Sequence, residues 1–169
     1  SFMSDIEFGY QKRGVLPGII GELHTGFVLA EREIKILRAA ARAHKESGLP
    51  ISIHLTHTER YSHDILDILE AEGVDLNRVI LGHIAICLAA QKDLDFHDAI
   101  DYMSSLAARG AYLEFDLCGN EGAFVRPEIS WAMPSDRERA KAIFKLCLRG
   151  YSNRILTCQD TGHRHYLTS

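Results

Sequence analysis

Five residues able to bind a metal or move a proton recur along this chain at a regular interval: Glu22, His54, His83, Asp116 and Asp160. The steps between them are 32, 29, 33 and 44 residues. Imidazole nitrogens and carboxylate oxygens brought together suit a divalent cation such as zinc, manganese, iron or cobalt, and a carboxylate can bridge two ions. Taken singly, each residue has a plainer role. A histidine at a strand end is commonly a hydrogen-bonded structural residue, and an aspartate or glutamate there commonly caps a helix. Several such groups buried together without partners would be costly, so the shared interval favours a metal site.

The interval matches one strand-plus-helix unit. Short apolar runs lie at Gly18–Leu23, Pro50–Leu55, Val79–Leu81, Ala111–Phe115 and Arg154–Cys158. Between them lie amphipathic stretches at Leu29–Ser47, Ser62–Glu72, Phe96–Arg109 and Asp136–Arg149. Ile34, Leu37, Ala40 and Ala41 fall on one helical face, and so do Ile65, Ile68 and Leu69. Gly48, Gly73, Gly110 and Gly150 each stand where a helix would close. The runs are nearly all apolar rather than alternating, which predicts parallel strands buried on both faces. Strand, helix and glycine in repetition predict an α/β fold, either an open doubly wound sheet or part of a (β/α) barrel. Parallel strands end on one side, so the five chemical residues gather at the C-terminal face, where such folds carry their active sites. The longest loop, Leu117–Pro134, offers Phe124 and Trp131 as apolar pocket walls or as simple packing residues.

Other residues of these types read differently. His44 and His97 fall on helices and are expected to face solvent, whereas His24 and His57 follow strand ends and are placed to line a pocket. His163 and His165 read as loop residues near the site. The charge runs Glu31-Arg32-Glu33 and Asp136-Arg137-Glu138-Arg139 read as solvated helix faces. The cysteines, Cys87, Cys118, Cys147 and Cys158, form no C-x-x-C pair and read as free buried thiols of a cytoplasmic protein.

Composition narrows the class. The 169 residues are 46% hydrophobic and 25% charged, with a net charge of −4, and they read as one domain over 1–169. No basic excess supports nucleic-acid binding, no apolar run suits a membrane span, and no secretory h-region is visible from Ser1 to Arg13. No G-x-G-x-x-G or P-loop occurs, which argues against a Rossmann or flavodoxin-like binding domain.

Several segments together resemble a known family. They are Gly18-Ile19-Ile20-Gly21-Glu22, Ile36-Leu37-Arg38-Ala39-Ala40-Ala41-Arg42-Ala43, Gly48-Leu49-Pro50-Ile51-Ser52-Ile53-His54 and Arg78-Val79-Ile80-Leu81-Gly82-His83. Ala107-Ala108-Arg109-Gly110-Ala111-Tyr112 and Gly150-Tyr151-Ser152-Asn153-Arg154-Ile155-Leu156 follow, ahead of Asp160. In order and spacing they resemble the phosphotriesterase-related family of the amidohydrolase superfamily. The resemblance implies a (β/α)8 TIM barrel, of which this chain supplies about five parallel strands, roughly the fourth to the eighth. It implies a centre of two divalent ions, zinc foremost, with manganese or cobalt as alternatives. Glu22 takes the place of the bridging carboxylate, His54 and His83 that of the ligands to the more exposed ion, and Asp160 that of the strand-eight aspartate. Asp160 would bind the more buried ion and accept a proton. Asp116, in Glu114-Phe115-Asp116, matches a pattern of some members and is a secondary pocket residue. The implied activity is metal-dependent hydrolysis of an ester, lactone, amide or phosphotriester bond in a small-molecule substrate. Neither nucleic acid nor membrane is an implied partner, and a homo-oligomer is compatible with the resemblance.

The chain departs from the family pattern in three respects. The family's first strand carries a His-x-His pair, and none precedes Glu22; His163-Arg164-His165 follows the last strand instead. Strands one to three and the final helix are expected to be missing. Ile84-Ala85-Ile86 follow His83, where some members carry an acid of a proton relay. These departures support an alternative: a non-catalytic half-barrel that binds little metal or needs a second chain to complete its site. They predict that this chain alone retains less than the full pair of ions, which elemental analysis after dialysis would measure.

Overall fold

The computed structural model describes residues 2–9, 14–26, 28–55, 61–89, 95–121, 123–126 and 129–162. A short helix α1 (Phe2–Phe8) precedes β1 (Ile20–His24), α2 (Glu31–Ser47), β2 (Ile51–His54) and α3 (Ser62–Ala71). Then come β3 (Val79–Gly82), α4 (Phe96–Ala108), β4 (Tyr112–Phe115), β5 (Ala123–Arg126), β6 (Ile129–Ala132), α5 (Asp136–Leu148) and β7 (Ile155–Thr157). Five strands form one parallel sheet in the order β1-β2-β3-β4-β7. The sheet is a partial (β/α)8 barrel, its strands alternating with helices.

Burial alternates along β2 and β4 and over Val79–Leu81 of β3. Ile51, Ile53, Val79, Leu81, Leu113 and Phe115 are wholly inaccessible, and they join Leu37, Ala41, Ile65, Leu69, Ile100, Met103, Leu106, Ala142 and Leu146 of the helices in one core. Ser52, His54, Ile80, Tyr112 and Glu114 lie on the opposite face and are only half-buried. The expectation of strands buried on both faces is therefore corrected. Helices cover one face, while the other, which a closed barrel turns inward, carries polar residues and stays partly open. Complete burial of each core Leu or Ile contributes about 1.5–3 kcal/mol, so the helix-covered face carries most of the hydrophobic stabilisation.

Gly48 closes α2 in the left-handed conformation (φ 70°), its N–H bonded to the His44 carbonyl at 2.7 Å. Other expectations are overturned. His44 is buried, with Nδ1 2.7 Å from the Leu49 carbonyl, and it fastens the helix end to the approach of β2. Glu33 is also buried; its oxygens accept from the N–H groups of Gly26 (3.0 Å) and Ala30 (2.8 Å), locking the turn after β1. Arg139 is 1% exposed, so neither charge run is simply a solvated face. None of the four free cysteines is buried, and Cys147 is exposed. Part of the stretch expected as a loop, Leu117–Pro134, forms the antiparallel β5–β6 ladder, in which Phe124 and Trp131 are register partners. No helix among the described residues is long and apolar enough to cross a membrane.

The start of α5 anchors this region. Ser135 Oγ accepts from Glu138 N at 3.2 Å, and Glu138 Oε2 accepts from Ser135 N at 2.7 Å, a capping box. Arg139 donates to Asp136 (2.7 Å) and to the Asn120 carbonyl (2.9 Å), while Asp136 accepts from Gly119 N. The bond from Gly119 holds the Asp136 carboxyl below its ordinary range, and the bonds from Ser135 do the same for Glu138. Because folding lowers both values, their stabilisation is complete above the ordinary carboxylate range and is lost as pH falls through the lowered values. Ser135→Ala is expected to cost about 1 kcal/mol in urea unfolding, and its deficit should shrink in acid as Glu138 protonates.

Candidate metal centre

The site begins with a local irregularity in β1. Its pairing with β2 shifts between Ile20 and Leu23, and Gly21 lies there at φ 137°. A Cβ on Gly21 would stand 2.5 Å from the Ser52 carbonyl oxygen, so only glycine fits. Leu23 then enters the core, and strand alternation turns Glu22 and His24 to the opposite face. His54 ends β2 as the register partner of both His24 and Gly82. His83 follows β3 in the left-handed conformation (φ 55°) and opens a short 3-10 turn, Ile84–Leu88.

Glu22, His54 and His83 each offer a ligand atom, and these atoms all lie within 4.8 Å of one another. Glu22 Oε2 is 3.0 Å from His54 Nδ1, and Oε1 is 3.8 Å from His83 Nε2. The two imidazole nitrogens are 3.0 Å apart, with the rings nearly perpendicular at 87°. A Cβ on Gly82 would lie 3.3 Å from both Glu22 Oε1 and Glu114 Oε2, so the missing side chain leaves room beneath the group. Two imidazole nitrogens and a carboxylate converging over this space fit a divalent cation.

Asp116, expected only as a secondary pocket residue, stands directly behind His83. It is buried, and its Oδ2 accepts from the His83 backbone N–H at 2.8 Å. The same oxygen is 2.8 Å from His83 Nδ1, but the ring N–H is turned off that line, leaving a chiefly electrostatic contact. Burial, the largest influence on His83, lowers its pKa; Asp116, then Glu22 and Asp160, outweigh it and hold the imidazole above its usual value. A carboxylate behind the ring favours the Nδ1–H tautomer, which aims the Nε2 lone pair at Glu22 and His54.

Asp160 lies three residues beyond the end of β7, exposed and at φ 51°. It stands on the same side of the sheet and acts on His83 through its charge, but it is outside the three-residue group. Among the described residues, the non-glycine positions with positive φ are His83, Leu117 and Asp160, which follow β3, β4 and β7. Such conformations cluster where a fold aims functional groups. His97 is exposed on α4, as expected, and His24 stands beside His54. His57, His163 and His165 lie outside the described residues. Asp116's place behind His83 was hard to read from sequence because it depends on the backbone turn at His83.

Known proteins share this arrangement of elements. The sequence profile of the phosphotriesterase family matches residues 1–169. The chain is 37% identical over 161 residues to an N-acetyltaurine hydrolase of Dictyostelium discoideum, covering 95% of this chain and 41% of that protein. It is 31% identical over 165 residues to a phosphotriesterase-related protein of Nematostella vectensis, covering 98% and 45%. A crystal structure of a resiniferatoxin-binding protein from Rhodobacter sphaeroides superposes with a TM-score of 0.83 at 35% identity, covering 94% of this chain and 41% of that one. The phosphotriesterase homology protein of Escherichia coli, complexed with phosphate in its active site, gives 0.77 at 31% identity, covering 96% and 49%. The chain thus spans less than half the length of these relatives. On the profile match, the superposition and these identities, it belongs to the phosphotriesterase family of the amidohydrolase superfamily.

Proposed function

We propose that this chain carries the metal-binding part of a hydrolase that cleaves an amide bond, or a related ester, lactone or phosphotriester bond, in a small molecule. The observation that carries the reading is the Glu22 carboxylate set against His54 and His83, with Asp116 behind His83. The amide is placed first because a relative at 37% identity is named an N-acetyltaurine hydrolase. Glu22, His54 and His83 would hold one cation, with Asp160 as a ligand of a second, and two nitrogens with a carboxylate make zinc the first choice. When bound, such a cation lowers the pKa of water and polarises the bond under attack.

The chain's own residues have distinct tasks in this reading. Asp116 keeps His83 turned with Nε2 toward the group. Glu22 brings a negatively charged donor up to both imidazoles. Asp160, exposed at the mouth of the sheet, accepts the proton released during attack. A second reading rests on the sheet edges. Among the described residues β1 and β7 each pair on one side only, so a further segment or a second copy of the chain would complete the barrel before catalysis. Metal binding without hydrolysis would favour that reading.

The reading is tested by metal analysis and by hydrolysis of a panel of N-acyl amides, esters, lactones and phosphotriesters. Failure of the chain to bind zinc, cobalt or manganese at all would sink it. Asp160→Asn should lower turnover by a factor on the order of 10²–10⁴ while losing less metal than His83→Ala, which should lose both. Asp116→Asn should weaken metal binding about 10- to 100-fold, the usual cost of losing a partner behind a ligating histidine. Titration calorimetry with zinc would measure the last effect without any assay of activity.

A further inference from the structure

One imidazole beside the Glu22–His54–His83 group has no hydrogen bond or ion pair among the described residues. His24 ends β1, is exposed, and leaves the strand on the same face as Glu22. Its ring centroid lies 4.8 Å from that of His54, tilted by 35°. His54 in turn lies 4.3 Å, centroid to centroid, from His83. Three imidazoles therefore stand in a row on the ends of three neighbouring strands, with the carboxylate of Glu22 beside them.

The backbone around His24 is held in place. Thr25 donates to the His54 carbonyl through both Oγ1 (2.9 Å) and N (3.2 Å), tying the residue after His24 to the residue His24 faces. Glu33 accepts from Gly26 and Ala30, fixing the next part of the turn to α2. A histidine on so well supported a turn has little freedom except in its own side-chain torsions, which its exposure leaves open. The three donors within 4.8 Å of one another do not include His24, so rotation about those torsions is the step that would bring a nitrogen in.

We propose that His24 is a fourth ligand-bearing residue of this centre, so that Glu22, His24, His54 and His83 together offer one divalent cation a four-donor set from this chain alone. The inference rests on the metal reading above and extends it. Three imidazoles and a carboxylate match the nitrogen and oxygen ligands zinc accepts, in the number its four-coordinate sites require. They also supply a complete set without any His-x-His pair. The competing role for His24 is packing: a ring lying against His54 that only limits the motion of that side chain. The two roles differ in whether the nitrogens of His24 matter.

The experiment is zinc titration calorimetry on the full chain, comparing the unaltered protein with His24→Ala and His24→Phe. Circular dichroism serves as the control for folding. His24→Phe keeps an aromatic ring against His54 but removes both nitrogens. The unaltered chain should take up a single ion, and both variants should bind it at least about tenfold more weakly, the lower bound set by the loss of even an outer partner of a metal ligand. Long-range nitrogen NMR should also show the His24 ring shifting as zinc is added to the unaltered chain. If His24→Phe binds zinc as tightly as the unaltered chain, the ring only packs and the proposal is overturned. Equal binding by His24→Ala overturns it as well, while leaving the three-residue centre standing. Absence of zinc binding by the unaltered chain would remove both readings together.

Discussion

The candidate centre depends on the level alignment of three parallel strand ends. His54 is paired across β1 with His24 and across β3 with Gly82, so the residues that leave those strands do so side by side. The strand spacing of about 4.8 Å then sets the scale of the group. Donors separated by tens of residues in sequence come within a metal's reach because their strands are neighbours. A one-residue slip of β2 would turn His54 into the helix-covered core and Ile53 outward, so the burial of Ile51 and Ile53 in that core is also what aims the imidazole.

Much of this was legible in the sequence, for a simple physical reason. Apolar runs mark strands whichever face is covered, and glycines after amphipathic stretches mark where helices stop, so the α/β order and the positions of Glu22, His54 and His83 followed from spacing. What escaped was set by contacts between segments distant in sequence. His44 and Glu33 look like ordinary charged or polar helix residues, yet each is buried because it satisfies backbone groups of an adjoining turn. Arg139 sits in a charge run but points inward, where Asp136 and the Asn120 carbonyl receive it. The β5–β6 ladder lies in a stretch rich in glycine and aromatics, where no alternating pattern is long enough to announce two strands.

Asp116 is instructive because its neighbours in sequence mislead. Glu114 and Asp116 lie two residues apart at the end of β4, which suggests a shared role on one face. In the structure they part company. Asp116 is buried behind His83, whereas Glu114 remains half-buried on the open face, near Gly82 and with Oε1 3.7 Å from Cys158 Sγ. The division follows from the left-handed turn at His83, which brings that residue's own N–H onto Asp116. A backbone conformation at one strand end thus decides the role of a carboxylate on the next.

The carboxylates so divided leave a common electrostatic mark. Burial, and after it the negative charges of Asp116 and Glu22, push the Glu114 carboxyl above its ordinary range. Burial likewise raises the Cys158 thiol, with Glu114 and Asp116 adding to the effect. His83 is held above its usual value by the same acids. All three shifts include a push toward the protonated form from neighbouring acids, as expected where negative charge is concentrated in a partly desolvated place. A bound divalent cation answers that condition in full, since it carries the opposite charge and would reverse the local preference for protons. Protons on His83, Glu114 and Cys158 can relieve the same field only in part, and a proton on His83 Nε2 occupies the lone pair a metal needs. On the proposed reading a metal and a proton would compete for one site, and the carboxylates that would strengthen the metal's hold also strengthen the proton's.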